Sequence, residues 1–173
     1  MHVFLIAAIS LDGFIAPKGV ERSFDWTSAE DKQFYVSMLK KSDAIVIGSR
    51  TFGTFSRYPK DSRWIIYTSK PESFNNPKPS VIRAEATKES PEDLLKRLEN
   101  EGCKEVMING GASIYSMFMK AGLVDTLYLT IEPEIFGDGI KLFSPEIQAT
   151  LQLVKVEKMG ENAMLLEYKV SKS

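Results

Sequence analysis

The chain has 173 residues and 43% apolar content, enough to bury the core of one domain. Lysine and arginine (22) nearly balance aspartate and glutamate (23), so no broad basic face is predicted and nucleic acid is not an expected partner. The single cysteine and single histidine argue against an internal disulfide, a zinc site and a Ser-His-Asp triad. The longest apolar run, residues 3–9, is too short to cross a bilayer, so a cytoplasmic protein without a membrane partner is expected.

The chain begins with a predicted buried strand followed by a loop. Residues 2–10 are apolar on both alternating faces, which is typical of a strand in the middle of a sheet. Gly13 and Pro17 predict an irregular loop over residues 11–17. The apolar loop residues Phe14, Ile15 and Trp26 are compatible with capping the core or with lining a cleft that binds a ring.

A helix is predicted from a cap at Thr27 or Ser28 to about residue 41, with Phe34 on its apolar stripe. Asp31 falls in its first turn. A carboxylate there commonly stabilises the helix dipole, whereas one that is partly buried in a cleft has a raised pKa and can serve as an acid. Both interpretations of Asp31 stay open at this point.

Two further predicted strands end in groups that suit phosphate. Residues 44–48 lead into Arg50 and Thr51 at a predicted helix start. Residues 64–67 lead into Thr-Ser-Lys at 68–70, where two hydroxyls and an ammonium group suit the phosphomonoester that distinguishes NADP. Each segment alone is also typical of an ordinary turn.

A glycine pair at Gly110 and Gly111 separates a predicted strand, residues 106–108, from a predicted helix. Glycine leaves the backbone N–H groups at a helix start open to a phosphate. A tight turn without a ligand is the alternative, because an isolated Gly-Gly pair is a weak signal.

The rest of the pattern predicts the fold class. The remaining predicted elements are a short strand at 80–84, a helix that starts at Ser90 and extends to Gly102, a strand at 126–131, a long loop at 133–143 and a hairpin formed by 151–156 and 164–170. Alternation of strands with helices predicts an α/β fold with a mainly parallel central sheet and a ligand site beyond the carboxyl ends of its strands. The residues expected near those ends are Gly13, Gly48, Ser69 and Gly110.

Several motifs occur in the order seen in the dihydrofolate reductase superfamily. They are LIAA at 5–8, Trp26 followed by Asp31, GSRT at 48–51, IIYTS at 65–69, Gly110-Gly111 with Tyr115, and LYLT at 127–130. Within that superfamily, SLDGFIA at 10–16 and the stretch 123–143 resemble the reductase domain of bacterial riboflavin biosynthesis, the RibD C-terminal domain. The resemblance implies a three-layer α-β-α dihydrofolate reductase-like fold, with a terminal antiparallel hairpin, in one domain over residues 1–173.

The resemblance also implies NADPH as the cofactor and assigns residues to it. The implied cofactor-binding residues are Ala8, Ile15, Gly48, Arg50, Thr51, Thr68, Ser69, Lys70, Gly110, Gly111, Ala112, Ser113, Ile114 and Tyr115. Gly110 and Gly111 match a pair that a cis peptide joins in that superfamily. Asp31 matches a carboxylate that orients a pterin and helps to deliver a proton, and Thr130 matches its hydroxyl partner. The implied substrate contacts are Phe14, Trp26, Asp31 and Phe34, and no metal is implied.

The implied activity is NADPH-dependent hydride transfer to a pyrimidine or pterin-type substrate, first of all 5-amino-6-(5-phosphoribosylamino)uracil in riboflavin biosynthesis. The alternative is a dihydrofolate reductase, which needs an arginine for the folate tail; the matching position is Ser62, with Arg63 one place away and Arg57 as another candidate. A non-catalytic nucleotide-binding protein is the second alternative. Pairing of relatives through sheet edges or the terminal hairpin makes a homodimer an expected assembly.

Overall fold

The computed structural model describes residues 1–20 and 23–171. Its strands are β1 (His2–Ile9), β2 (Phe14–Pro17), β3 (Ala44–Gly48), β4 (Arg63–Tyr67), β5 (Arg83–Thr87), β6 (Glu105–Ile108), β7 (Thr126–Ile131), β8 (Gly139–Lys141), β9 (Leu151–Met159) and β10 (Ala163–Val170). Its α-helices are α1 (Ala29–Lys41), α2 (Ser49–Phe52), α3 (Pro91–Asn100) and α4 (Ala112–Lys120). Within these described residues, no helix has the length and apolar character needed to span a membrane.

The central sheet has eight strands in the order β5-β4-β3-β6-β1-β7-β10-β9. The six strands from β5 to β7 are parallel, whereas β10 runs antiparallel to both β7 and β9. This confirms the predicted parallel sheet with a terminal antiparallel hairpin. Because β4, β3, β6, β1 and β7 are consecutive neighbours, their carboxyl ends lie side by side along one edge.

Helices cover both faces of the sheet, which confirms the predicted three layers. Successive residues of β1 alternate between two cores, as the period of a strand requires. Leu5 packs in a core with Leu98 of α3 and Phe118 of α4. On the other face, Phe4 packs in a core with Leu39 of α1. The inner parallel strands β1, β3, β4 and β6 are therefore buried on both sides, which explains their nearly continuous apolar sequences.

Two predicted loops contain short strands. β2 and β8 lie within residues 11–17 and 133–143, and they pair antiparallel with Ala16 opposite Ile140. The side chain of Asp12 holds these segments together by accepting hydrogen bonds from the backbone N–H groups of Phe136 (3.2 Å) and Gly137 (2.7 Å). Local sequence did not reveal this pairing because the two segments are far apart along the chain.

The strand predicted at residues 80–84 was placed too early. β5 begins at Arg83 and ends at Thr87, in register with β4 from Arg63 to Tyr67. Its position therefore follows from pairing with β4, while the local composition of residues 80–87 contains little strand signal.

Candidate active site

The glycine turn lies at the carboxyl ends of β3 and β6. The backbone N–H of Gly48 donates to the carbonyl oxygen of Gly110 over 2.7 Å, which joins the two strand ends. The peptide between Gly110 and Gly111 is cis, as the resemblance implies. A Cβ at Gly111 would lie 2.9 Å from Oγ1 of Thr51, and a Cβ at Gly110 would lie 2.6 Å from the ring of Tyr115. Both glycines are therefore required by close contacts as well as by the left-handed φ of Gly110 (87°).

The start of α4 packs directly against this turn. Ile114 lies against Gly48, with Cγ1 3.3 Å from the position of a Cβ at that glycine. The hydroxyl of Tyr115 donates to the carbonyl oxygen of Ile6 over 2.7 Å. Burial raises the pKa of Tyr115, so this phenol stays protonated and keeps its bond to β1. Ala112 and Ser113 occupy the first turn of α4, where Ser113 is exposed.

Basic side chains lie at two neighbouring strand ends. Arg50 is exposed after β3 and lines a cleft of about 570 Å³. The other lining residues are Gly19, Val20, Asp25, Ser49, Gly53 and Thr54. After β4, Ser69 and Lys70 are exposed, while Oγ1 of Thr68 accepts the backbone N–H of Lys70 over 3.3 Å. The predicted phosphate-binding groups thus share one edge of the sheet.

The carboxyl group of Asp31 lies in a buried polar pocket at the start of α1. Ser28 is the N-cap of this helix, and its Oγ accepts the backbone N–H of Asp31 over 3.2 Å. Asp31 is 8% exposed. Its side chain is hydrogen-bonded to the hydroxyls of Thr130 and Thr27, and Thr130 is only 1% exposed. The predicted acid and its predicted hydroxyl partner are therefore brought together.

This environment makes Asp31 a weaker acid than usual. Burial raises its pKa because the charged form loses hydration, and the negative charge of Glu132 raises it further. The hydrogen bonds from Thr130 and Thr27 and the charge of Lys32 act in the opposite direction without cancelling the rise. Asp31 therefore keeps its proton to a higher pH than an ordinary aspartate, which is the property that a proton donor needs.

The strand ends and the terminal hairpin enclose the acid. Ala8, a predicted cofactor contact, lies opposite Thr130 in the pairing of β1 with β7. From the hairpin, Sδ of Met159 lies 3.8 Å from Oγ1 of Thr130. At the hairpin turn, Gly160 approaches Glu30 so closely that a Cβ would lie 2.7 Å from its carboxyl carbon. The hairpin thus contacts the first turn of α1 next to Asp31.

The predicted apolar contacts are distributed around the site. Phe34 packs edge-on against Tyr128, with ring centroids 5.9 Å apart. The ring of Trp26 packs against Phe136 at 4.9 Å, and its Nε1 is buried without a hydrogen-bond partner in the described part of the chain. Ile15 packs against the core on the α3 and α4 face.

Phe14 is half-buried, and its backbone N–H donates to Oγ of Ser10 over 3.0 Å. Among the described residues, no ring contact joins Phe14, Trp26 and Phe34 to one another. The assignments of these side chains to a substrate, and that of Ile15 to a cofactor, stay predictions.

Three polar residues of the site were missed from the sequence. Nδ2 of Asn109 donates to the hydroxyl of Tyr35 over 2.8 Å, which connects α1 to the residue before Gly110. Glu132 is 2% exposed and lies near Asp31. Spacing places all three near predicted site residues, because Tyr35 follows Asp31 by about one helical turn, Asn109 precedes Gly110 and Glu132 follows Thr130 by two residues. It does not reveal the distant partners of these side chains.

Known proteins share both the sequence and the fold of this chain. The model of the RibD C-terminal domain family matches residues 1–165. YyaP of Bacillus subtilis (strain 168), itself uncharacterized, is 30% identical over 179 residues that cover 96% of this chain and 94% of YyaP. The riboflavin biosynthesis protein RibD of Corynebacterium ammoniagenes is 27% identical over 165 residues, covering 87% of this chain and 48% of that protein.

A solved structure extends the match to three dimensions. It is a diaminohydroxyphosphoribosylaminopyrimidine deaminase/5-amino-6-(5-phosphoribosylamino)uracil reductase from Thermotoga maritima. The two folds agree with a TM-score of 0.80 at 17% sequence identity, over 98% of this chain and 56% of that one. On the match to the family model and on the shared fold, this chain belongs to the RibD C-terminal domain family.

Proposed function

We propose that this protein is an oxidoreductase that uses NADPH to transfer hydride to a C=N or C=O carbon of a pyrimidine or pterin-type substrate, with 5-amino-6-(5-phosphoribosylamino)uracil as the first substrate to test. One observation carries the proposal. A buried carboxyl group with a raised pKa, Asp31, is held by the hydroxyl of Thr130 at the sheet edge that also bears the glycine turn. A proton donor next to a phosphate-compatible turn is the arrangement that a nicotinamide-dependent reductase requires.

The residues at the sheet edge fit such a cofactor. The turn at Gly110 and Gly111 has no room for side chains, so backbone groups alone form this part of the edge. Arg50 and Thr51 would hold a pyrophosphate, and the segment 68–70 would hold the 2′-phosphate that favours NADPH over NADH. When bound, the cofactor would supply the hydride.

In this proposal Asp31 supplies the proton. Its carboxyl group keeps the proton to a higher pH than an ordinary aspartate does, because burial disfavours ionisation. It donates this proton to the heteroatom bonded to the carbon that receives the hydride. The hydroxyls of Thr130 and Thr27 then stabilise the carboxylate that is left behind, and the low exposure of Asp31 limits access of water.

The position of Arg63 favours the pyrimidine substrate over folate. Arg63 begins β4, whereas the glycine turn and Asp31 lie at the carboxyl edge of the sheet. Its Nη2 is 2.8 Å from Glu85 and 2.6 Å from Glu101. This arginine is therefore already paired by two carboxylates and does not serve as the anchor of a folate tail.

Titration with NADPH and with NADH, followed by nicotinamide fluorescence, tests the proposal. Binding with a preference for NADPH is expected, and oxidation of NADPH is then measured with the aminouracil and with dihydrofolate. Turnover of neither substrate, with tight NADPH binding, would support the non-catalytic alternative. Failure to bind either cofactor would overturn the reductase proposal.

We also propose that the protein forms a homodimer through β9. This strand is at the end of the sheet, and its apolar side chains Leu153, Val154 and Val156 are all about half exposed. An exposed apolar edge strand favours pairing with an identical edge, which a two-fold axis allows. Light scattering is expected to give a dimer mass for the unmodified protein and a monomer mass for Val154→Lys; a monomeric unmodified protein would contradict this proposal.

A further inference from the structure

A second buried carboxyl group lies beside Asp31. Glu132 follows the last residue of β7 and is 2% exposed. Its Oε1 accepts two hydrogen bonds from Ser28, one from the backbone N–H and one from Oγ, both 2.8 Å long. In the part of the chain that the structure describes, no basic side chain forms an ion pair with Glu132. Burying a carboxylate that has only neutral hydrogen-bond donors costs free energy of desolvation. A buried group of this kind is therefore a candidate for a functional role.

Glu132 is linked to Asp31 through the cap of α1. Because Oγ of Ser28 donates to Glu132, it is available as an acceptor for the backbone N–H of Asp31. The backbone N–H of Glu132 donates to the carbonyl oxygen of Ile9 over 2.9 Å. These bonds attach the first turn of α1, which carries Asp31, to the ends of β7 and β1.

The charged and titratable groups around Asp31 come from two helices, α1 and α4, and from the segment after β7. They are Lys32 and Tyr35 on α1, Tyr115 on α4, and Glu132 after β7, together with the hydroxyls of Thr27 and Thr130. The neighbouring Glu30 lies against Gly160 of the hairpin. Lys32 is the only cation among these groups. Its charge lowers the pKa of Asp31, whereas the charge of Glu132 raises it.

We propose that Glu132 is a positioning residue of the active site: it orients Asp31 through its two hydrogen bonds with Ser28 and places a second buried carboxyl group beside that acid. The consequence for catalysis rests on the proposed function, in which Asp31 is the proton donor. The effect of Glu132 on the pKa of Asp31 does not depend on that function and can be measured on the protein alone.

The test is a carboxyl-carbon NMR titration of Asp31 in the unmodified protein and in Glu132→Gln. Glutamine keeps an oxygen that accepts both bonds from Ser28 but removes the charge, so the pKa of Asp31 is expected to fall. Glu134→Gln is the matched control, because Glu134 is exposed two residues away, and it should leave the pKa of Asp31 unchanged. An unchanged Asp31 titration in Glu132→Gln would overturn the inference.

A second measurement covers the outcome in which Glu132→Gln fails to fold. In the unmodified protein, a second carboxyl group beside Asp31 is expected to make the titration curve of the Asp31 resonance depart from a single step. A simple one-step curve for Asp31 would contradict the coupling.

Kinetics separate this inference from the proposed function. With the aminouracil, Glu132→Gln is expected to lower kcat/KM at neutral pH by about three- to tenfold, with unchanged NADPH affinity, since less Asp31 is protonated. The pH above which kcat/KM falls should move downward. A lower Asp31 pKa without any turnover in the unmodified protein would retain the inference and reject the reductase.

Discussion

The starts of α1 and α3 carry the same local sequence pattern in two different environments. Each begins with serine at the N-cap and has glutamate and aspartate in the first turn, as Ser28-Ala-Glu-Asp31 and Ser90-Pro-Glu-Asp93. In each, Oγ of the serine accepts the aspartate N–H, over 3.2 Å in α1 and 3.1 Å in α3. The backbone geometry of the two caps is therefore equivalent.

The two serines differ in where their hydroxyl proton goes. Ser90 donates to the carboxylate of Asp93 itself over 2.9 Å, so this cap is satisfied within one turn at the surface. Ser28 donates instead to Glu132, which comes from the end of β7. The carboxyl group of Asp31 is thereby available to the hydroxyls of Thr130 and Thr27 in a buried pocket.

This difference shows that the fold converts a helix cap into a candidate acid. Asp93 is exposed and stabilises the dipole of its helix, as a carboxylate in a first turn ordinarily does. Asp31 has the same position in its helix, but burial and the charge of Glu132 raise its pKa. An acid that exchanges its proton is better held by neutral donors than by arginine, which would lock it in the ionised state.

The largest expected effect comes from removing the acid. Asp31→Asn should lower kcat/KM by about 10²- to 10⁴-fold, because general-acid catalysis is lost, while NADPH affinity is retained. Asp93→Asn is the matched control at the same helix position and should leave kcat/KM unchanged. Steady-state kinetics and fluorescence titration measure both, and equal activities of the two variants would show that Asp31 is only a cap residue.

The two caps are expected to differ in stability by a smaller amount. Ser90→Ala should lower the free energy of unfolding by about 1 kcal/mol, the usual value of an N-cap. Ser28→Ala also removes a hydrogen bond to a buried carboxyl group, so its loss should be larger, about 2 to 3 kcal/mol. Urea unfolding of both variants measures the difference. Equal losses would contradict a special role for the bond between Ser28 and Glu132.

The smallest effect concerns pH. Thr130 donates a hydrogen bond that favours the ionised form of Asp31, so Thr130→Val should raise the pKa of Asp31 further. Activity that needs protonated Asp31 is lost as pH rises through this pKa, so the alkaline limb of the kcat/KM profile should move to higher pH. This is opposite to the shift expected for Glu132→Gln. If the alkaline limbs of Thr130→Val and Glu132→Gln moved in the same direction, the opposite effects assigned to Thr130 and Glu132 on the pKa of Asp31 would be contradicted.

Much of the fold was predictable because its signals are local. The serine caps at Ser28 and Ser90 start helices where the pattern indicated, and the buried strands have the apolar runs typical of a covered parallel sheet. The pairing of β2 with β8 was not predictable, since it depends on Asp12 reaching Phe136 and Gly137 across the chain. The start of β5 depended in the same way on its neighbour β4.

In the candidate site, too, the local features were predictable and those that depend on distant partners were not. The glycine turn was recognised because a Gly-Gly pair between a strand and a helix is a contiguous motif, and its cis peptide is present. Glu132 and the bond between Tyr35 and Asn109 were missed, because each depends on a partner from a distant segment. Likewise, the ion pairs of Arg63 with Glu85 and Glu101 cannot be inferred from the position of Arg63 in the chain.

The sequence by itself determined the order of the helices and of the central-sheet strands along the chain, the two Ser-x-Glu-Asp caps and the glycine turn, because each depends on backbone preferences and side-chain periodicity within a few residues. Only the tertiary structure decided which aspartate became buried, which carboxyl group came to lie beside it and which arginines were already paired. Hydration and Coulomb interactions depend on the surroundings of a group rather than on its neighbours in the chain. For that reason Asp31 and Asp93 begin as the same motif and end in different environments, one buried and one exposed.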